Sequence, residues 1–509
     1  MTLMKSLLLG SAATLVVVAG AQAADLPTKK GAPAAEYVKV CKVGDIAGFV
    51  IPGSDTCLKI SGYVNAQIAM GNVEDEYTLS PLSQFGKVYL HHSSPYVTYG
   101  DPAMTLKSAA ANVNDIGYYT RGQVNFDAVT NTAMGPLLAH IELQGDSGDS
   151  SAATYGAKGS TFDSNTGSGV VLNEGYVQWA GVTAGKHPSF YDYLAGGDTW
   201  KDFFSPDHSG TPINLLAYTA TFGGGFSATI SLEQNESVSD FAGVTADIYH
   251  YRHHVGETLL ATGSITSISG TAEGARAPDI IASLDVTQSW GGAHLAGVAH
   301  NDRNSITASL TESPWAGDYH GSLGATSDTW GYGVIGGVTF NLPMLSAGSK
   351  IAFQGAYTNG AIAYSGATSP AWSESDDGFN TNGNGLLFPM ADGIFGPDGT
   401  YHKSTAWSAA AQLTWKLSPN FEIDPEVSYA NVQYDADSSA FWMISPKAEA
   451  WWVGAVFDWS PVKNLDFAFD AIYEWSHQDT PEDWTTAGGG AFKNDADGFN
   501  GRLHIVRSF

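Results

Sequence analysis

The feature that most constrains the fold is an alternation of apolar and polar side chains that recurs in sixteen segments along the chain. In the last segment, one face carries Phe499, Gly501, Leu503, Ile505 and Phe509, and the other carries Asn500, Arg502, His504 and Ser508. Successive side chains of a β-strand point to opposite sides. Each segment therefore predicts a strand with one apolar face and one polar face.

The connections between these segments alternate between short turns and long loops, and this predicts the architecture. The predicted strands are 58–70, 116–128, 137–145, 171–179, 182–186, 213–222, 226–233, 279–288, 293–300, 330–340, 350–358, 406–417, 421–434, 448–459, 465–475 and 497–509. An even number of strands with this pattern is typical of an outer-membrane barrel. The prediction is an all-β fold, a transmembrane antiparallel β-barrel of sixteen strands with long external loops and short periplasmic turns.

The end of the chain favours the same fold. Closing a barrel pairs the last strand with the first, so no apolar edge is left open. We expect the terminal Phe509 to act as the C-terminal assembly signal and to face the outer-membrane lipid.

Composition excludes some classes of function. Only 15% of the residues are charged, 12% are aromatic, and the formal net charge is −28 at pH 7. Such an acidic chain does not favour nucleic acid as a partner. The acid excess fits a cation-attracting lumen, and the alternative is that it serves solubility alone.

The N-terminus has the pattern of a secretory signal peptide. Lys5 precedes an apolar stretch at 7–19, and Ala21-Gln22-Ala23 is a small-residue cleavage site. The predicted organisation is a signal peptide at 1–23, a periplasmic N-terminal segment at 24–57 and the barrel at 58–509. Export and an even cysteine count favour a disulfide between Cys41 and Cys57, and the alternative is two free thiols.

The segment 37–64 reads YVKVCKVGDIAGFVIPGSDTCLKISGYV and closely resembles the opening of mature alphaproteobacterial outer-membrane porins. The similarity continues more loosely through 176–185 to the terminal Phe509. This resemblance implies a sixteen-stranded homotrimeric barrel for passive diffusion of small hydrophilic solutes and ions. It also implies that the third long loop folds into the lumen. The chain departs from the family in its long loops 234–278 and 359–405.

The third long loop, 187–212, is the candidate pore constriction. It mixes six aromatic residues with acids and bends at Gly196-Gly197, as expected for a loop packed inside a barrel. The candidate constriction residues are Asp192, Asp198, Lys201, Asp202 and Asp207. The alternative is an ordinary external loop.

A basic wall is expected opposite this loop. Closure makes the first, second and last strands neighbours, and their polar faces carry Lys59, Arg121 and Arg502, with His504 nearby. Cations that face an acidic loop create a transverse field across a narrow pore. The alternative is that these cations only form local ion pairs.

Three further motifs fit other chemistry poorly. Gly331-Tyr332-Gly333-Val334-Ile335-Gly336 matches GxGxxG, but it lies within a predicted strand with no helix after it, so small residues facing the lumen explain it better. Gly145-Asp146-Ser147-Gly148 is similar to a protease nucleophile loop without identifiable partners. The pairs His91-His92 and His253-His254 lack a metal-ligand set. We therefore predict no cofactor, no metal and no catalytic residues.

The function predicted from the sequence is a diffusion channel of the outer membrane with a moderate preference for cations. A solute-specific channel of the same build is the main alternative, and a hydrolase built on a barrel is the third. Saturable or solute-blocked current would mark the second class, and activity on lipid or peptide would mark the third.

Overall fold

The structure is a computed structural model of the whole chain. It describes residues 39–71, 76–79, 104–107, 116–148, 170–194, 207–208, 212–235, 249–255, 258–272, 276–312, 320–366, 381–382, 386–387, 391–396, 399–442, 445–480 and 494–509. The signal peptide predicted at 1–23 lies outside these residues. In the part of the chain that is described, no helix is long and apolar enough to cross a bilayer.

The described residues are almost entirely β-structure. In chain order the strands are β1 (Val40–Val43), β2 (Ile46–Val50), β3 (Cys57–Gly71), β4 (Glu76–Leu79), β5 (Met104–Lys107), β6 (Ile116–Thr132), β7 (Gly135–Gly148), β8 (Val170–Trp179), β9 (Val182–His187), β10 (Ile213–Gly223), β11 (Phe226–Glu233), β12 (Tyr249–Val255), β13 (Thr258–Ala272), β14 (Asp279–Gln288), β15 (Gly291–Glu312), β16 (His320–Asn341), β17 (Lys350–Asn359), β18 (Thr381–Asn382), β19 (Leu386–Leu387), β20 (Gly393–Phe395), β21 (Tyr401–Lys403), β22 (Thr405–Ser418), β23 (Phe421–Gln433), β24 (Lys447–Val462), β25 (Leu465–Gln478) and β26 (Asp495–Ser508). A short 3-10 helix spans Ile362–Ser365, and the helix α1 spans Ala436–Trp442.

Sixteen of these strands form one closed antiparallel barrel, which confirms the predicted fold and strand count. They are β3, β6 to β11, β14 to β17 and β22 to β26. Each pairs with the next, and β26 pairs with β3 from Ser508↔Tyr63 to Asn500↔Gly71, which closes the barrel. We call the end with the short connections the turn end and the opposite end the loop end. The first residue of β3 and the last residue of β26 both lie at the turn end.

The two faces of the barrel strands differ in exposure as the alternation predicts. On β14, the outward Ile280 and Leu284 are 40% and 58% exposed, whereas the inward Ile281 and Ser283 are 0% and 3% exposed. Exposed large apolar side chains recur on the outward faces of the other barrel strands, which gives the outside the apolar character that lipid requires.

The N-terminal hairpin is attached to the turn end of β3. β1 pairs with β2, and β2 also pairs with the start of β3 through Phe49↔Leu58 and Val50↔Cys57. Cys41 and Cys57 form the predicted disulfide. Cys57 is fully buried and packs with Val43 and Val129, so the bridge ties the hairpin to the barrel wall.

Four regions that were assigned to loops from the sequence contain strands: β4 and β5 lie in 71–115, β18 to β21 lie in 359–405, and the strands of two more join the barrel sheet. β15 and β16 continue as a pair for 22 residues each, well into the predicted loop 301–329. The predicted loop 234–278 contains β12 and β13, and β13 pairs with the extension of β15. Beyond the membrane a strand has no lipid-facing apolar side, so the alternation that identifies a spanning strand is missing there.

The terminal Phe509 lies over Gly62 on the outward face of β3. Its backbone N–H donates to the Gly62 carbonyl at 3.0 Å, and its carbonyl accepts from Gly62 N–H at 3.2 Å. A β-carbon at Gly62 would lie 2.1 Å from the Gln123 carbonyl oxygen and 2.9 Å from the Phe509 ring. Only glycine therefore fits at this point of the closure.

We expect Gly62→Ala to destabilise the closed barrel by roughly 1–3 kcal/mol, because the added methyl group clashes with the Gln123 carbonyl on β6 and with the ring of Phe509. The matched control is Gly122→Ala on the adjacent strand, where a β-carbon meets nothing within 4 Å. Urea unfolding in detergent, followed by tryptophan fluorescence, measures both. Equal midpoints for the two variants would contradict this reading of the closure.

Candidate functional site

The segment that follows β9 lies against the inward face of the barrel wall. Ser189 Oγ donates to Glu233 Oε2 at 2.6 Å, and the backbone N–H of Phe190 donates to Glu233 Oε1 at 3.0 Å. Glu233 is the last residue of β11 and is fully buried. One buried carboxylate therefore holds the start of the third long loop, and its removal would leave both donors unpaired.

The next residues of the loop are attached to the following strands of the wall. The Tyr193 hydroxyl donates to Thr339 Oγ1 on β16 at 3.0 Å. The backbone N–H of Leu194 donates to Gln354 Oε1 on β17 at 2.9 Å. These contacts fix residues 189–194 along one side of the barrel interior.

Tyr191 anchors the same segment by apolar packing. It is fully buried in a cluster that includes Ile281, Val298 and Ile335 from the inward faces of β14 to β16. Its ring meets Tyr364 edge-on, with the two centroids 5.0 Å apart. Tyr364 belongs to the short 3-10 helix, so part of the long loop 359–405 packs onto the third loop.

Glycines on β16 make room for these aromatic rings. A β-carbon at Gly337 would lie 2.4 Å from the Tyr193 ring, and one at Gly333 would lie 3.2 Å from the Tyr191 hydroxyl. Gly331 and Gly333, from the GxGxxG match, are on the inward face, whereas Gly336 is on the outward face. The motif therefore reflects close packing of the loop on the wall.

Only part of the candidate constriction set lies in the described residues. Asp192 Oδ1 accepts a hydrogen bond from the His208 backbone N–H at 2.6 Å, and Asp207 is 1% exposed. Burial lowers the pKa of His208 to about 4, so its ring is neutral at neutral pH. Asp198, Lys201 and Asp202 lie outside the described residues, and the constriction itself stays a prediction.

The three basic residues of the candidate wall lie on adjacent strands but at different heights. On β3, Lys59 pairs with Asp127 of β6, and Asn65 pairs with Arg121 of β6. Lys59 therefore lies six residues nearer the turn end than the level of Arg121. At about 3.3 Å per residue this separates the two cations by roughly 20 Å along the strand. Arg502 is opposite Ala69, nearer the loop end than Arg121. The strands are neighbours, yet the residues do not form one cluster.

Each of these basic residues has a polar partner on the wall. Lys59 Nζ lies 3.9 Å from Asp127 Oδ2. Arg121 donates to both oxygens of Asp146, at 2.9 and 3.1 Å. Arg502 is buried, and its Nη1 donates to the Gln67 amide oxygen at 3.4 Å. A transverse field from this wall stays a prediction.

Acidic side chains line much of the remaining interior. The inward positions of β6 to β8, β14 and β23 to β25 carry Asp127, Glu142, Glu174, Asp285, Glu422, Asp424, Glu426, Asp458, Asp466 and Asp470. Asp424 and Asp470 are 3% and 1% exposed. The described interior therefore has more acidic than basic side chains.

One buried polar cluster at the loop end was not identified from the sequence. His300 and Asp302 point inward from β15, and Asp392 joins them from the loop 359–405. Tyr364 donates to Asp279 at 2.6 Å, and Asp279 contacts His300. The available signal was the His-x-Asp spacing at 300–302, which puts both side chains on one face of a strand. Asp392, about ninety residues away, had no such signal.

The comparisons with known proteins agree with this architecture. The family model described as "Porin subfamily" matches residues 25–498. Porin Omp2a of Brucella ovis is 30% identical over 329 residues, which cover 62% of this chain and 83% of that protein. Porin Omp2b of Brucella canis is 26% identical over 435 residues, which cover 84% of this chain and 92% of that protein.

Among solved structures, the outer membrane channel DcaP of Acinetobacter baumannii has a similar fold. The TM-score is 0.50 at 15% identity, over 91% of this chain and 100% of that one. At this identity the likeness concerns the fold alone. Because the family model covers nearly the whole sequence and the strands close into a porin-like barrel, the chain belongs to the porin subfamily and is a channel protein of the outer membrane.

Proposed function

We propose that this porin forms a water-filled channel for passive diffusion of small hydrophilic solutes and ions, with a moderate preference for cations. The third loop, 187–212, forms its constriction. The observation that carries the proposal is the attachment of residues 189–194 to the inward faces of β11 and β14 to β17. A loop held against one side of a barrel narrows the passage without closing it.

The open cross-section then runs between this loop and the opposite wall, from β22 through β26 and β3 to β8. That wall carries charged inward side chains throughout its height, including Asp127, Glu426 and Arg121. Charged and polar groups of this kind suit hydrated solutes and ions.

The preference for cations follows from the balance of charge. The chain carries −28 at pH 7, and the basic residues Lys59 and Arg121 are paired with Asp127 and Asp146. The low-dielectric wall focuses the field of the remaining acids into the lumen and raises the local cation concentration. The paired cations reduce this field locally, so the preference is moderate.

The reversal potential in a salt gradient tests this selectivity. At low ionic strength we expect it to favour potassium over chloride, and the preference should weaken at 1 M salt, where the screening length is about 3 Å. The variant Asp198→Asn with Asp202→Asn should shift the potential towards anions, because it removes two charges from the constriction loop. The matched control is Asp45→Asn with Asp55→Asn, which removes two charges from the N-terminal segment.

Preference for anions in the unmodified channel would refute the charge argument. An equal shift in both double variants would mean that the third loop does not set the selectivity. Current that saturates with one solute, or that one solute blocks, would favour the solute-specific channel over the diffusion channel.

We also propose that three copies of the chain assemble in the membrane, as the family resemblance implies and as closed symmetry favours. The outward face of β3 supports this, because the exposed Val64 and Ala66 are small enough for barrels to approach closely. Mass measurement in mild detergent should give a trimer. Ala66→Trp should weaken the trimer, whereas Ala282→Trp, also outward but on β14, should not. A monomeric unmodified protein would refute the assembly.

A further inference from the structure

Three donor side chains come together inside the barrel at its loop end. His300 and Asp302 lie on β15, and Asp392 lies just before β20 in the loop 359–405. They are 1%, 0% and 0% exposed. One donor atom of each lies within 4.8 Å of the other two. The channel function proposed above uses none of the three.

The imidazole of His300 is oriented towards the two carboxylates. Its Nδ1 lies 2.9 Å from both oxygens of Asp279. A proton on Nδ1 satisfies this contact, so Nε2 is the nitrogen through which the ring would bind a metal. Nε2 lies 3.5 Å from Asp392 Oδ2. A carboxylate that holds the far nitrogen of a histidine is the usual support of a metal-binding imidazole.

The carboxylate of Asp302 supplies the second, independent observation. Its Oδ1 accepts a hydrogen bond from Asn304 Nδ2. Its Oδ2 is buried and has no donor within hydrogen-bond distance among the described residues, and the hydroxyl of Tyr401 is the neighbouring polar group that interacts with this carboxylate. A buried carboxylate oxygen without a donor is costly unless a cation neutralises it.

The charge of the cluster also favours a bound cation. Asp279, Asp302 and Asp392 surround the imidazole of His300, and the amino group of Lys403 lies near enough to Asp302 to act on its charge. Three ionised carboxylates outnumber the positive charges of one protonated imidazole and one ammonium group, so the buried cluster keeps an excess of negative charge. A divalent ion would offset this charge and satisfy Asp302 Oδ2.

We propose that His300, Asp302 and Asp392 bind a divalent transition-metal ion of the zinc class. One imidazole and two carboxylates suit zinc and its first-row neighbours, whereas calcium and magnesium prefer oxygen ligands alone. Three protein ligands around zinc lie roughly 3.4 Å apart when bond lengths are about 2.0–2.1 Å. The three donor atoms, now within 4.8 Å of one another, would have to move closer by about 1.4 Å at most to reach that spacing.

The ion would fasten the loop 359–405 to the barrel wall. Asp392 also accepts the backbone N–H of Ile362 at 2.7 Å, and Ile362 begins the 3-10 helix that carries Tyr364. Tyr364 packs on Tyr191 of the third loop. Metal binding would therefore stabilise the loop assembly that narrows the lumen.

The test is zinc uptake by the refolded full-length protein, freed of metal with a chelator and titrated against a chromophoric zinc indicator. We expect the wild type to bind one zinc ion per chain. Asp302→Asn and Asp392→Asn should each weaken the zinc affinity by at least about tenfold. The matched control is Asp285→Asn, which alters the His294–Asp285 pair on the same two strands. It should leave the uptake unchanged.

Thermal unfolding gives a second measurement. Zinc that surface histidines bind without stabilising the fold does not affect it. Zinc should raise the melting temperature of the wild type and of Asp285→Asn, but not that of Asp302→Asn. The last variant should still fold without metal, since it removes one of the repelling charges. Equal zinc uptake by wild type and Asp302→Asn, or no uptake by either, would overturn the proposal and leave the channel function untouched.

Discussion

The pairing of β26 with β3 is the interaction on which the rest of this structure depends. In a bilayer no water is present to satisfy backbone N–H and C=O groups, so a spanning sheet must have no free edge. The nine registered pairs from Ser508↔Tyr63 to Asn500↔Gly71 remove that edge. Gly62 and Phe509 complete the seam at the turn end, where a larger residue than glycine has no room.

Closure also creates the interior in which the functional residues lie. A strand whose outward side meets lipid must turn its polar residues inward, so the barrel collects charges that are far apart in the sequence. The segment 189–194 is bound to this interior surface by hydrogen bonds to a carboxylate on β11, a threonine on β16 and an amide on β17. The same wall has glycines where the tyrosine rings need space.

The strands could be predicted from the sequence because their signal is local. Each spanning segment shows its own alternation, so all sixteen were located without knowing their partners. The loop-end extensions of β15 and β16 were missed because residues beyond the membrane need no apolar face. The disulfide could be predicted from the export of the chain and its even cysteine count alone.

The site was harder to predict because its contacts join distant residues. Tyr193 and Thr339 are 146 positions apart, and Ser189 and Glu233 are 44 apart. Neighbouring strands could be inferred for Lys59, Arg121 and Arg502, but their heights depend on the register of β3 with β6 and β26. The cluster at His300 depends on a loop residue, Asp392, that no periodic pattern places.

In the proposed channel, the third loop, held on β16, limits passage through the barrel. Two neighbouring glycines test it most directly, because Gly337 faces the Tyr193 ring and Gly336 faces outward with Leu295 at 3.9 Å. In single-channel recordings with neutral solutes of rising size, Gly337→Val should lower the conductance and the size limit, since it pushes the ring into the passage. Gly336→Val should match the wild type. Identical conductance and size limits in all three channels would contradict the account.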